Sequence, residues 1–374
     1  MVLFMKNFEK YKNKKILVAM SGGIDSSMTA VLLRKYGANV IGVHMRVWHY
    51  NNNCDLNCKI ATCCSPEDAK DARKISEQFD FPFYSIDFQI DFRSSVIDPF
   101  INEYLSGRTP NPCVNCNSKM KLGTLLHKAR SFGCDAVATG HYARINHYED
   151  HSEISTAEDK NKDQTYYLFN LTQNQLKYFE MPLGEITKKD LRNIAREMDV
   201  HSADKPDSQE ICFIPDNDYR KFIREETNIK NEDLEGKITD AKGNILGVHN
   251  GIHNFTIGQR KGLGINSSRS LYVTDLIVET KTVVVGKEED VFSKGLTTSS
   301  WNWVSVLPTE NEIRVRTRIR HHHNPASGTL KVENNVAKII FDEFQKAITP
   351  GQAAVCYDDD NRVIGGGWIN SKLN

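Results

Sequence analysis

Residues 16–27 read ILVAMSGGIDSS, an apolar run that breaks into Ser21, Gly22, Gly23, Ile24, Asp25 and Ser26 before a helical pattern begins. These residue types at this spacing suit the phosphates of a nucleotide. Adjacent glycines let the backbone turn tightly and approach an anion, and the helix that follows offers unpaired N–H groups and the positive end of its dipole. Ser21 and Ser26 add hydroxyl donors. Asp25 repels a bare oxyanion, so its place in the loop points to a Mg2+ ion or to ordering the loop itself. The spacing lacks both the Gly-Lys-Ser/Thr close of the P-loop and the Gly-x-Gly-x-x-Gly of dinucleotide sites. An ordinary strand-to-helix turn capped by Asp or Ser would use the same residues.

Thiols form the second constellation. GRTPNPCVNCN, residues 107–117, carries Asn111, Pro112, Cys113 and Cys116 in what reads as a proline-pinned loop. As a zinc half-site its C-x-x-C would need a second pair of ligands at comparable spacing; no other C-x-x-C exists, and Cys54, Cys58 and Cys63 are the cysteines that could supply the pair in space. KPDSQEICFIP, residues 205–215, sets Cys212 between Ile211 and Phe213 just after Asp207, Ser208 and Gln209. Taken alone, a cysteine so flanked reads as an inert core residue.

The elements that must position these residues alternate. KILVAM reads as a buried strand, NVIGVHM, FPFYSIDF and DAVATG as further strands, and SSMTAVLLRKYG and PEDAKDARKISEQF as intervening helices. That rhythm predicts an α/β domain with a parallel, Rossmann-like sheet, whose ligands sit at the carboxyl ends of strands beside Met45, Gly140 and His141. The polar stretch 146–164 reads as a hairpin or surface loop. From about residue 216 glycines and short β-branched runs take over, predicting a small linker domain and then an antiparallel β-barrel. The expected domains are 1–215, 216–290 and 291–374.

Lys plus Arg equals Asp plus Glu at 48 each, so a polyanionic partner must be met by local patches. Arg314, Arg316, Arg318 and Arg320 alternate with Val315, Thr317 and Ile319, so on a strand their guanidinium groups leave one face, as a ladder for a nucleic-acid backbone. His321, His322 and His323 extend it, and Arg260 with Lys261 form a weaker patch. The opening residues lack the apolar core of a secretory signal and no run is long enough to cross a bilayer, which predicts a cytoplasmic, membrane-free protein. Nine cysteines in a cytosolic chain of this length point to reactive thiols or metal rather than a disulfide scaffold.

SGGIDS, GRTPNPCVNCN, ATGHYAR, KDQTYYL, KPDSQEICFI, TIGQRKGLGI and TPGQAAVCY follow one another over nearly the whole chain. The first resembles the SGGxDS loop of ATP pyrophosphatases, and together they resemble the tRNA-specific 2-thiouridylase family, which places sulfur at C2 of the wobble uridine of tRNA. The resemblance implies ATP at Ala19, Met20, Ser21, Gly22, Gly23, Ile24, Asp25, Ser26, Met45 and Gly140, with Mg2+. It implies Cys116 as nucleophile or acid and Cys212 as persulfide carrier, with a disulfide between them as one outcome of the cycle. Asn111, Pro112 and Cys113 would meet the target base, and His141, Lys162, Asp163, Gln164 and Gln352 the tRNA, beside Arg316, Arg318 and Arg320 of the ladder. The persulfide would come from a cysteine desulfurase or a sulfur-carrier protein. Many relatives carry Asp where Cys113 stands, so Cys113, Cys116 and Cys212 could instead hold an iron–sulfur cluster with one open iron.

Overall fold

The computed structural model describes residues 8–48, 66–206, 211–214, 217–227, 229 and 234–373. Cys54, Cys58, Cys63 and Cys64 lie outside the described residues, and with them the second zinc pair; so do Asp207, Ser208 and Gln209. The chain divides into two compact units, one of Met1–Val96, Cys113–Asn217 and Asn361–Val363, the other of Ile97–Pro112, Asp218–Asp360 and Ile364–Asn374. Among the described residues no helix is long and apolar enough to cross a membrane.

In the first unit β1 (Lys15–Ala19), α1 (Ile24–Lys35), β2 (Asn39–Arg46), α2 (Pro66–Gln78) and β3 (Phe83–Asp87) alternate as the apolar pattern predicts. After α3 (Leu125–Ser131) come β4 (Ala136–Ala138), the hairpin of β5 (Ala143–His147) and β6 (Ser152–Thr156), β7 (Phe179–Glu180) and α4 (Lys188–Glu197). The parallel sheet runs in the order β3-β2-β1-β4-β7. Ile16, Leu17 and Val18 are wholly buried, as befits a central strand covered on both faces. Helix α1 stops at Gly37, whose φ of 89° lets its N–H reach Arg34 O while Ala38 N–H reaches Leu33 O. Strand order reverses between β1 and β4. Their outgoing loops therefore diverge at the switch point where open α/β sheets bind ligands.

One local expectation is corrected. The CVNC segment is helical: Pro112–Asn115 form a short helix and Cys116–Thr124 a π-helix that runs into α3. Proline is tolerated at a first helical position, and burial of Val114, Met120, Leu122 and Leu125 gives the segment an apolar side to pack. Cys113 and Cys116, three apart on a helical path, are thereby neighbours.

The second unit contains the helix Asp98–Leu105 and α5 (Tyr219–Thr227), joined by Tyr104 stacked on Tyr219 with ring centroids 4.5 Å apart. A four-stranded sheet of β8 (Glu235–Asp240), β9 (Ile245–Asn250), β10 (Tyr272–Ile277) and β11 (Thr282–Gly286), ordered β10-β11-β8-β9, encloses Ile238, Phe255, Val273, Val283 and Val285. The predicted barrel is a closed antiparallel one of β12 (Phe292–Trp303), β13 (Ile313–Arg318), β14 (Ala326–Glu333), β15 (Val336–Lys346), β16 (Ala353–Tyr357) and β17 (Val363–Leu373), ordered β12-β15-β14-β13-β16-β17. Leu296, Leu330, Ile339, Phe341 and Ile369 fill it.

The arginine ladder is shorter than its sequence suggests. Val315, Thr317 and Ile319 are buried as expected, but β13 ends at Arg318, and Arg320 lies beyond it with Nη1 donating to Lys346 O at 3.1 Å. Arg314 is spent on Asp342, with Nη1 and Nη2 at 3.0 and 2.6 Å from its two oxygens. Aligned guanidinium groups repel, and Asp342 is the anion that relieves this row at one end. Arg316, whose Nη2 donates to Asp358 O, and Arg318, whose guanidinium lies 5.3 Å over the Tyr357 ring, are the two other members on the strand itself, and both are half-buried.

Candidate functional site

The SGGIDS loop leaves β1 at the switch point. Gly22 has φ +75°, and a Cβ there would stand 2.3 Å from Asp68 O, so this turn against α2 admits glycine alone. Gly23 is the N-cap of α1 and no side chain caps the helix, which leaves its first N–H groups available to an anion. Ser26 shapes the loop: its Oγ accepts from Ser21 N–H at 3.0 Å and donates to Gly23 O at 3.2 Å. Met20 is buried, its N–H on Val43 O at 2.8 Å and its carbonyl accepting from His44 Nδ1 at 3.1 Å. Ala19 ends β1, and Met45, half-buried near the end of β2, pairs with Ile86.

Asp25 takes the second of the two roles open to it in sequence. Its Oδ1 accepts from Lys188 Nζ at 2.6 Å and from Tyr142 OH at 2.9 Å. Lys188 is 7% exposed, so a dication at that oxygen would face a buried ammonium. Asp25 therefore fits loop ordering, and its surroundings do not fit a Mg2+ ligand. Lys205, first residue of the KPDSQEIC motif, reaches under the same loop: Nζ donates to Asp68 Oδ1 at 2.6 Å, Asp71 Oδ2 at 3.1 Å and Gly22 O at 3.3 Å. Partial burial pulls its pKa down, but Asp68 and Asp71 outweigh that and raise it. The ammonium is thus retained below its ordinary value of 10.5 and released only as pH rises past it.

Residues 140–142 each do a separate job. Gly140 packs on the loop, since a Cβ would lie 2.7 Å from Asp25 C and from Ser26 N. His141 is buried, with Nδ1 2.6 Å from Thr139 Oγ1 and Nε2 3.4 Å from Lys121 Nζ. Burial first, then the charge of Lys121, hold its pKa well below 6.5, so the ring is neutral. Tyr142 bonds Asp25, and its N–H donates to Gln164 Oε1 at 3.0 Å.

Several residues expected at the RNA are occupied within the protein. Asp163 is buried, accepting from Ala157 N–H at 3.2 Å and from the Thr165 hydroxyl at 2.8 Å, while Lys162 is half-buried beside it. Gln352 Nε2 donates to Thr109 O at 3.0 Å and Pro110 O at 3.3 Å, and Thr109 N–H donates to Pro350 O at 2.9 Å. The TPGQ segment thus holds the backbone immediately ahead of Asn111 and Pro112, of which Asn111 is half-buried and Pro112 buried.

The thiols stand in unlike settings. Cys113 is exposed, Cys116 opens the π-helix half-buried, and Cys212 is half-buried on a turn closed by Ile214 N–H to Ile211 O at 3.1 Å. Next to it Phe213 is 1% exposed and packs edge-on against Phe92, centroids 5.7 Å apart. None of Cys113, Cys116, Cys134, Cys212 and Cys356 is disulfide-bonded. Among the described residues no three His, Cys, Asp or Glu side chains gather as a metal site, so the cluster ligand set of Cys113, Cys116 and Cys212 is not assembled. Cys356 lies inside the barrel, where burial pushes its pKa up to about 12. In the native protein iodoacetamide should label exposed Cys113 within minutes and leave Cys356 untouched until denaturant is added, as peptide mass spectrometry would record.

Sequence reasoning missed Lys188 and Lys121, which have no motif signal of their own. Tyr142 and Lys205 lay inside quoted motifs and drew no role because their partners are distant in the chain.

Comparisons place this geometry. Family models match residues 14–216 as a tRNA methyl transferase HUP domain, 220–287 as a tRNA methyl transferase PRC-barrel domain and 293–369 as an aminomethyltransferase beta-barrel domain. The tRNA-specific 2-thiouridylase MnmA of Geotalea uraniireducens is 46% identical over 366 residues, covering 97% of this chain and 96% of that protein. Its namesake in Geobacter metallireducens is 45% identical over 96% of this chain and 98% of its own. That of Clostridioides difficile is 44% identical over 97% of this chain and 100% of its own. Among solved structures, the NMN synthetase of Francisella tularensis overlays loosely, with a TM-score of 0.34 and 14% identity over 61% of this chain and 87% of that one. At such identity over almost the full length of both partners, the chain belongs to the tRNA-specific 2-thiouridylase family.

Proposed function

We propose that this protein replaces the C2 oxygen of the wobble uridine of tRNA with sulfur, using ATP and a persulfide carried on Cys212. The observation that carries the reading is the full-length kinship with 2-thiouridylases, combined with an uncapped helix N-terminus at the SGGIDS loop. The domain roles are 1–215 for nucleotide and thiol chemistry, 216–290 as a linker and 291–374 for tRNA, with Arg316 and Arg318 on β13 addressing backbone phosphates.

A uracil C2 carbonyl is a poor electrophile with a poor leaving group. The loop N–H groups of residues 21–26 hold the triphosphate of ATP while the C2 oxygen attacks the α-phosphorus and pyrophosphate departs with its bridging electron pair. Asp25, fixed by Lys188 and Tyr142, keeps the loop in shape. No step passes through a protein-held Mg2+. The terminal sulfur of the Cys212 persulfide then attacks C2, and AMP leaves with the oxygen and its electron pair. The Cys116 thiolate attacks Cys212 Sγ, the sulfur–sulfur bond breaks toward C2, and a Cys116–Cys212 disulfide is left for a cellular thiol to reduce. In the other role open to it, Cys116 acts as the acid for the departing group. Asn111, Pro112 and Cys113 precede Cys116 where a base drawn from its stack would lie. A cysteine desulfurase or a sulfur-carrier protein supplies the persulfide. Thiol transfer is favoured over an iron–sulfur route because the cluster ligand set is not gathered.

The family models are described by methyl transfer, which gives the second reading its one support. One experiment separates the two. Unmodified tRNA incubated with the protein, ATP, a persulfide donor and an activated methyl donor such as a sulfonium methyl compound is digested and its wobble nucleoside weighed. A sulfur-for-oxygen mass gain is expected; a methyl gain, or an unchanged uridine, rejects the proposal.

A further inference from the structure

Resting on that reading, we propose that Lys205 is a positioning residue that ties the segment carrying Cys212 to the nucleotide loop, so that filling the loop steadies the sulfur carrier. An ammonium has three N–H donors, and Lys205 spends one each on Gly22 O, Asp68 Oδ1 and Asp71 Oδ2. The first acceptor is a carbonyl of the loop itself. The other two lie on α2, against whose Asp68 backbone Gly22 is packed. With its three donors engaged in this way, Lys205 grips the loop rather than the phosphates the loop would hold.

A second route runs through α4. Lys188 and Arg192 stand four residues apart and so share one face of that helix. Lys188 Nζ meets Asp25 of the loop at 2.6 Å, while Arg192 donates from Nη1 to Ala203 O at 2.6 Å and from Nη2 to Lys205 O at 2.9 Å. Lys205 is therefore joined to the loop twice, by its side chain directly and by its backbone through Arg192, α4 and Lys188. His201 Nε2, 3.5 Å from Asp71 Oδ1, gives the same turn a further hold on α2.

Cys212 follows seven residues on, within about 25 Å of fully extended chain from this anchor. Phe213, packed on Phe92, fixes the far end. The carrier segment is thus pinned on both sides, and one of the pins is the nucleotide loop. A ligand that stiffens the loop stiffens that pin, and by linkage the ordered segment favours the ligand.

The test follows alkylation of Cys212 by iodoacetamide, read by peptide mass spectrometry, with and without saturating α,β-methylene-ATP. Pyrophosphate release, 2-thiouridine formation and thermal unfolding are measured beside it. In the wild type the nucleotide should slow Cys212 labelling by roughly tenfold, and in Lys205→Met by under about twofold. That variant should form 2-thiouridine about 10–100-fold more slowly while pyrophosphate release stays within a few fold, so that more pyrophosphate is released per sulfur transferred. Lys205→Arg, which keeps a charged donor for Asp68 and Asp71, should recover part of both effects. Arg192→Met frees the backbone of residues 203 and 205 and leaves the ammonium in place; it should show the same changes in smaller measure, and it decides the matter if Lys205→Met does not fold. The inference is overturned if the nucleotide leaves wild-type labelling unchanged, or if it protects Cys212 equally in the variants, which would mean direct shielding. It also fails if pyrophosphate release and thiolation fall in step, because Lys205 would then serve the loop alone. Wild-type protein that gives tRNA no sulfur rejects the functional reading instead, and the labelling comparison still decides the tie.

Discussion

Replacing Cys212 with serine abolishes sulfur delivery, by on the order of 10⁴-fold or more, while tRNA-dependent pyrophosphate release stays within a few fold of wild type. The split follows from the order of events. In the proposed sequence adenylation uses the SGGIDS loop and the C2 oxygen, and neither needs a thiol; only displacement of AMP requires a sulfane sulfur. Serine keeps the size of Cys212 and the buried anchor of Phe213, so the turn should survive. Cys116→Ser should look different. Its pyrophosphate release also persists, but Cys212 can still be loaded, so a persulfide or an RNA–sulfur adduct on Cys212 should accumulate and be visible by intact-protein mass spectrometry. Wild-type thiolation by the Cys212 variant would end the persulfide account, and absence of any Cys212-bound sulfur in the Cys116 variant would remove the disulfide step.

The second large effect is expected at Gly22→Ala. A residue with a side chain at φ +75° carries about 1–3 kcal/mol of backbone strain, and here the new methyl would also meet Asp68 O at 2.3 Å and Asp68 Cα at 2.7 Å. Those atoms are backbone at the start of α2, so no rotamer change relieves the contact. The loop must shift, and with it the N–H groups aimed at the phosphates. ATP affinity should fall by roughly 100-fold, about 2.7 kcal/mol, in calorimetric titration. Gly243→Ala is the control, because that residue shares the unusual conformation at φ +83° with nothing within 4 Å of its would-be Cβ. It should lose stability and keep ATP affinity. Normal ATP binding by Gly22→Ala would mean that the loop is not the phosphate site.

How much of this was legible in the chain can be seen residue by residue. The strand–helix alternation through β3 was readable because KILVAM and NVIGVHM are apolar without interruption, a pattern that only a sheet covered on both faces requires. The glycines of the loop were readable because their backbone need is local. Asp25 was ambiguous for the opposite reason: whether it meets a metal or an ammonium depends on Lys188, more than a hundred and fifty positions away. Helix α4 reads from KKDLRN as an ordinary amphipathic surface segment, and nothing local signals that its first lysine is buried. The arginine row was legible in its alternation and misjudged in its length, since strand β13 ends where tertiary pairing ends rather than where the pattern does. His141 was placed by resemblance at the RNA, while its burial and its two ring partners appear only once the chain is folded.

Phe213 sets a constraint on timing. On the persulfide reading proposed above, Cys212 sits beside a residue sunk edge-on against Phe92, so loading and discharge would share one address and a sulfur donor and a tRNA would take turns at it. The steady-state signature is that of a substituted enzyme: parallel double-reciprocal lines, and each partner inhibiting the other at high concentration. In the cell, such an enzyme passes its flux from one visitor to the next and is fastest when neither is in large excess.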